Sequence, residues 1–149
     1  MNRPSWDTYF LEITKLTSKR SNCIKKNVGS IIVKDTRILS LGYNGTPSGM
    51  KNCFEGGCKR CNGQSKSGEN LDLCICLHAE ENAMLYIGIS KLNGSTLYST
   101  LMPCMGCTKK IIQCGIKRVV YIDDYNKELD NICLELLNDN NIIVKKIKI

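Results

Sequence analysis

Three close cysteine spacings, Cys58-x-x-Cys61, Cys74-x-Cys76 and Cys104-x-x-Cys107, constrain this chain more than any other feature. Ten cysteines in 149 residues is a large excess. In a reducing compartment a disulfide framework is not the expected use of them, and thiols this close in sequence can converge on one metal ion. No apolar run reaches the roughly 18 to 20 residues of a membrane span. The opening Met1-Asn2-Arg3-Pro4-Ser5-Trp6 lacks the apolar stretch of a leader peptide. These features set the expectation of a soluble, cytoplasmic protein, one domain over residues 1–149.

Periodicity outlines the elements. Trp6, Tyr9, Phe10, Ile13 and Leu16 recur at helical steps between Ser5 and about Ser21. Val28 to Lys34 and Arg37 to Tyr43 are apolar and β-branched around a turn at Lys34-Asp35-Thr36, which predicts a hairpin. A helix is expected from His78 to Ile87, and a strand at Thr96–Thr100. A second helix should run from Thr108 to Cys114, closed by Gly115. A strand at Arg118–Ile122, a helix over about 127–138 and a strand at Ile142–Val144 complete the pattern. Alternating helices and strands predict an α/β fold, a single mixed β-sheet flanked by helices. Between them lies a cysteine-rich loop over about 44–77. It is long for a compact domain, and seven of the twelve glycines fall between Gly42 and Gly68.

One constellation carries chemistry. His78-x-Glu80 is followed, 26 residues after His78, by Pro103-Cys104-x-x-Cys107. A catalytic zinc needs three protein ligands and one open position for water. Cys104 and Cys107, three apart at a helix start, can face one atom, and the helix N-terminus favours their thiolates. His78, the chain's one histidine, supplies the third ligand. Glu80 lies close to the metal without ligating it, where a carboxylate can take a proton from water and return it to a leaving amine. The order H-x-E then P-C-x-x-C is the signature of zinc-dependent nucleobase deamination.

With these residues in view, the sequence resembles the deoxycytidylate deaminases of the cytidine deaminase superfamily. The resemblance covers roughly Pro4 to Val144. It includes Ser5-Trp6-Asp7-x-Tyr9-Phe10, Gly42-Tyr43-Asn44-Gly45-Thr46-Pro47-Ser48-Gly49 and Gly115-Ile116-Lys117-Arg118-Val119-Val120-Tyr121. It implies a three-layer α/β/α fold and zinc-dependent hydrolysis of dCMP to dUMP and ammonia, feeding thymidylate synthesis. It implies contacts from Asn44 and the Ala79 backbone to the nucleotide, and a homo-oligomer, commonly a hexamer. It implies activation by dCTP and inhibition by dTTP as well. Some members hold a second zinc that only tethers the loop. Cys23, Cys53 and Cys76 match ligand positions of phage members, and Cys58 resembles a cysteine of bacterial ones. The expected structural set is therefore Cys23, Cys53, Cys58 and Cys76, with Cys61 or Cys74 as substitutes. Cys114 and Cys133 read as core residues.

The net charge of +7 attracts any polyanion, so it does not separate nucleic acid from nucleotide phosphates. A nucleic-acid-binding zinc module would leave Glu80 without a role, and the chain lacks the aromatic and basic stripe of a single-strand binder. A mononucleotide is the expected partner, with no nucleic acid and no membrane. The same chemistry on dCTP or on an RNA base is the nearest alternative. Tyr121, Asp123 and Asp124 either line the pocket or merely end a strand.

Overall fold

The computed structural model describes all residues from Met1 to Ile149. Helix α1 (Trp6–Ser18) begins where Ser5 adopts extended backbone and its Oγ accepts the Thr8 N–H at 3.2 Å, with Asp7 in the first turn. The cap satisfies a backbone donor that has no partner inside the helix, and the carboxylate suits the helix's positive end. α1 ends before Ser21, the residue its periodicity suggested, because Ser21 and Asn22 both turn away to bond the Asn44 carbonyl.

Strands β1 (Gly29–Lys34) and β2 (Arg37–Tyr43) form the expected hairpin, with Lys34 opposite Arg37. The two loop residues, Asp35 and Thr36, have φ of 51° and 59°. Left-handed backbone at both positions matches the twist of the paired strands. Ile32 pairs with Ser40 and Val33 with Ile38, which leaves Leu39 as the extra residue of a bulge.

After the loop come α2 (Ala79–Leu85), a short α3 (Ile89–Leu92), β3 (Thr96–Leu101) and α4 (Met105–Gln113). Then β4 (Arg118–Asp123), α5 (Lys127–Asp139) and β5 (Ile143–Lys146) follow. The strand order is β2-β1-β3-β4-β5. β1 pairs antiparallel with β2 and β3, while β3, β4 and β5 run parallel through the crossovers α4 and α5. α4 starts three residues ahead of the expected Thr108, since Cys104 serves as its N-cap directly after Pro103.

Strand alternation divides the core between the two sheet faces. Phe10 and Leu11 of α1 pack on Ile31, Val33, Tyr98 and Val120. On the other face Ile32, Leu97, Val119 and Tyr121 meet Ala83, Ile111, Cys133 and Leu137 from α2, α4 and α5. The result is the three-layer arrangement. One close approach seats α2: a Cβ at Gly42 would lie 2.3 Å from the Ala79 carbonyl oxygen and 2.4 Å from the Ala83 nitrogen. Only a hydrogen fits there, so α2 rests directly on β2.

The long loop carries only short 3₁₀ turns at Cys53–Glu55 and Leu71–Leu73. Its ends are joined by a bridge between Gly45 and Leu77. No helix of the protein is long and apolar enough to cross a membrane.

Candidate metal centre and nucleotide cleft

Two helix starts bring the donors together. His78 caps α2 and Cys104 caps α4, each in extended backbone, with Cys107 in the first turn of α4. His78 Nδ1 lies 3.3 Å from Cys104 Sγ and 3.5 Å from Cys107 Sγ. A tetrahedral zinc with nitrogen at about 2.0 Å and sulfur at about 2.3 Å sets N···S edges of roughly 3.5 Å, so this donor set fits zinc in kind and spacing. Hydrogen bonds from Cys107 and His78 hold the Cys104 thiol down at about 4, against the opposing effect of burial. The Cys104 contact raises His78 to about 9, and Cys104 together with burial pushes the Cys107 thiol up.

The two helices are also tied to each other. Glu81 Oε1 accepts the His78 backbone N–H at 3.0 Å while its Oε2 meets Lys110 Nζ of α4 at 2.8 Å.

Glu80 is 4% exposed and points inward, its Oε1 accepting the Ser99 hydroxyl at 3.1 Å. Burial pushes its carboxyl upward. It sits, with His78, Ala79 and Cys104, on the wall of a cleft. The cleft's cations are Lys25, Lys26 and Arg60, and Glu80 is its one carboxylate. Ala79 is the first residue of α2, so its backbone N–H has no intrahelical partner.

Asn44 lines the same cleft, but its amide already has work in the fold. Oδ1 accepts the Val28 N–H at 2.8 Å and Nδ2 donates to the Lys26 carbonyl at 2.7 Å. One N–H remains for a ligand. Tyr121, Asp123 and Asp124 do not line the cleft. The Tyr121 hydroxyl lies 3.4 Å from Asp124, which pairs with Lys146 at 2.6 Å. The tyrosine that does line it is Tyr125, with Lys26 Nζ 5.3 Å from its ring centre. Sequence reading missed Tyr125 and Ser99. The period-2 alternation of β3 could have placed Ser99 beside Leu97 on the α2 face.

The six remaining loop cysteines gather into one buried cluster. Their sulfurs form two overlapping groups of four, each with all members within 4.8 Å: Cys23, Cys53, Cys61, Cys76 and Cys58, Cys61, Cys74, Cys76. Cys61 thus stands where Cys58 was expected beside Cys23, Cys53 and Cys76. Cys58 lies across the shared pair, 3.9 Å from Cys74. Cys133 is in the core and Cys114 packs against it, as their patterns suggested.

The family model described as cytidine and deoxycytidylate deaminase zinc-binding region matches residues 4–123. The chain belongs to this deaminase family. The deoxycytidylate deaminase of Schizosaccharomyces pombe is 53% identical over 127 residues, covering 85% of this chain and 39% of its own. That of Saccharomyces cerevisiae is 46% identical over 146 residues, covering 97% of this chain and 45% of its own. The chain therefore spans less than half the length of these two relatives. Among solved deaminases, the cyanophage S-TIM5 dCMP deaminase in complex with dCMP and dUMP superposes with a TM-score of 0.77 at 32% identity. That match covers 99% of this chain and 100% of the phage chain.

Proposed function

We propose that residues 1–149 act as one catalytic unit that hydrolyses dCMP to dUMP and ammonia, with zinc held by His78, Cys104 and Cys107. The observation that carries this reading is the convergence of three zinc donors beside a buried carboxylate, Glu80, in a cleft whose other charges are cationic. The names of the yeast and phage relatives support dCMP as the substrate.

The chemistry that zinc supplies in such a site is acidification of water toward neutral pH. Glu80 takes the proton from the water that adds to C4 of the pyrimidine and delivers it to the departing amine, so that one water is consumed and one ammonia leaves. Its apolar seat and the Ser99 bond keep the carboxyl oriented for both transfers. The free N–H of Ala79 meets the pyrimidine, and the remaining N–H of Asn44 reaches the nucleotide. Lys25 and Lys26 supply positive charge for the 5′-phosphate.

The reading extends to a homo-oligomer, a hexamer by resemblance. Leu41, Tyr43, Leu85 and Tyr86 support it, an exposed apolar group where β2 meets α2. It also includes activation by dCTP, inhibition by dTTP, a reducing cytoplasmic setting and a structural zinc in the loop cysteines.

The deciding experiment is ammonia release from a panel of cytosine nucleotides by wild type and Glu80→Gln, with and without each triphosphate. Turnover of dCMP should fall about 10²–10⁴-fold in Glu80→Gln while zinc is retained. A near-normal rate in a zinc-loaded Glu80→Gln protein would overturn the mechanism, and no release from dCMP would overturn the substrate.

A further inference from the structure

We propose that the six loop cysteines hold two zinc ions rather than one, in a binuclear cluster with Cys61 and Cys76 as shared bridging thiolates. Cys23 and Cys53 complete the ligands of the first ion, and Cys58 and Cys74 those of the second. This deepens the structural-zinc reading above and rests on it.

The two groups of four sulfurs overlap in Cys61 and Cys76 and nowhere else. Each group alone supplies a closed tetrahedral set. Two tetrahedra joined along one edge use six corners, which is the number of cysteines present. The spacing agrees. Zinc–sulfur bonds of about 2.3 Å place tetrahedral sulfurs roughly 3.8 Å apart. Cys58 and Cys74 are 3.9 Å apart, and Cys61 and Cys74 are 3.7 Å apart. A disulfide would bring sulfurs to about 2.05 Å, and all ten cysteines are free. A single zinc on the first group would leave Cys58 and Cys74 as buried or half-buried thiols at metal-ligand spacing from the same two sulfurs.

Arg60 gives an independent reason. Arg60 as a whole is 8% exposed, and its guanidinium pairs with no carboxylate. Its other donors go to the backbone carbonyls of Lys66 and Glu69, while Nη1 lies 3.7 Å from Cys61 Sγ. A buried cation requires a nearby anion. Six thiolates around two dications leave two negative charges, and Arg60 lies against a bridging sulfur.

The second ion has a structural task that the first cannot perform. It fastens the segment from Cys58 to Cys74, which supplies Arg60, Ser67, Gly68 and Leu71 to the cleft wall. The bridging Cys76 stands two residues from His78.

The test is metal content of the purified, reduced chain, paired with cadmium NMR of the exchanged protein. About three zinc ions per chain are expected, one catalytic and two in the cluster. The two cluster cadmium signals should fall in the range of four-thiolate sites and be scalar-coupled to each other through the shared sulfurs. Cys58→Ser should lose one ion, keep the catalytic one and raise KM severalfold. Two zinc ions per chain with uncoupled signals would overturn the binuclear cluster and leave a single structural zinc standing. One zinc per chain, at full catalytic occupancy, would overturn both. The wild-type NMR decides even if the serine variant fails to fold.

Discussion

Ser99 of β3 donates its hydroxyl to Glu80 of α2 at 3.1 Å, so the sheet face that α2 covers orients the carboxylate proposed to handle protons. Ser99→Ala should lower kcat about tenfold, the scale of one lost hydrogen bond to a charged group, with KM and zinc content unchanged. Ser99→Thr, which keeps the hydroxyl, should recover part of the rate. A Ser99→Ala enzyme with wild-type kcat would show that burial alone orients Glu80.

Glu81 offers a second way to separate causes. One of its oxygens caps the His78 N–H and the other pairs with Lys110, which is half exposed. Exposed pairs contribute about 0–1 kcal/mol, whereas loss of a cap costs about 1 kcal/mol. Lys110→Ala should be nearly silent. Glu81→Ala should lose the catalytic zinc several times faster to a competing chelator, because the start of α2 that carries His78 loosens. Equal losses in the two variants would assign the effect to the ion pair.

Asp7 predicts an acid response. Bidentate contact with Arg118, at 2.6 and 2.7 Å, together with the Tyr98 hydroxyl at 2.7 Å, holds its carboxyl down at about 2, against the opposing effect of burial. A depressed folded-state pKa stabilises the protein above the ordinary value near 3.8, and that stability is lost as pH falls through about 2. Asp7→Asn should cost about 2 kcal/mol at neutral pH, roughly 4 to 8 °C in Tm. The gap between variant and wild type should close between about pH 4 and pH 2. A gap independent of pH would assign the effect to packing.

Thr36 occupies left-handed backbone at φ 59° in the second position of the hairpin loop. A β-branched residue is strained there, and glycine is not. Thr36→Gly should raise stability by about 1 kcal/mol with activity unchanged, read from denaturant midpoints. A loss of stability would mean that the Thr36 hydroxyl bond to the Asp35 carbonyl, at 2.6 Å, outweighs the strain.

The most legible parts of the site were those whose geometry is local. His78, Glu80, Cys104 and Cys107 each sit within one turn of a helix start, so spacing alone fixes which of them can converge. The hairpin was equally plain, since both strands and the turn between them are contiguous. The cysteine groups were not legible to the same degree. Whether Cys58 or Cys61 faces Cys23 depends on the path of a loop with almost no regular structure, and sequence spacing carries little information about it. Asn44 lines the cleft, and its bonds to Val28 and Lys26 arise from tertiary folding and have no sequence signature. The four-residue α3 is too short to show a period. Tyr125 follows a strand whose alternation ends at Asp123, so nothing in the pattern aims it inward.

The seat of α2 on Gly42 makes a missing side chain part of what positions the proposed catalytic residues. Helix position sets where His78 and Glu80 stand relative to Cys104, and the sheet holds that helix at hydrogen-atom distance. A single methyl group at position 42 would act as a wedge, lifting the proposed ligand and the proposed proton carrier together away from the sulfurs of α4. A mutational scan scored only by contact with substrate would pass over this position. One scored by activity should find it among the least tolerant in the chain.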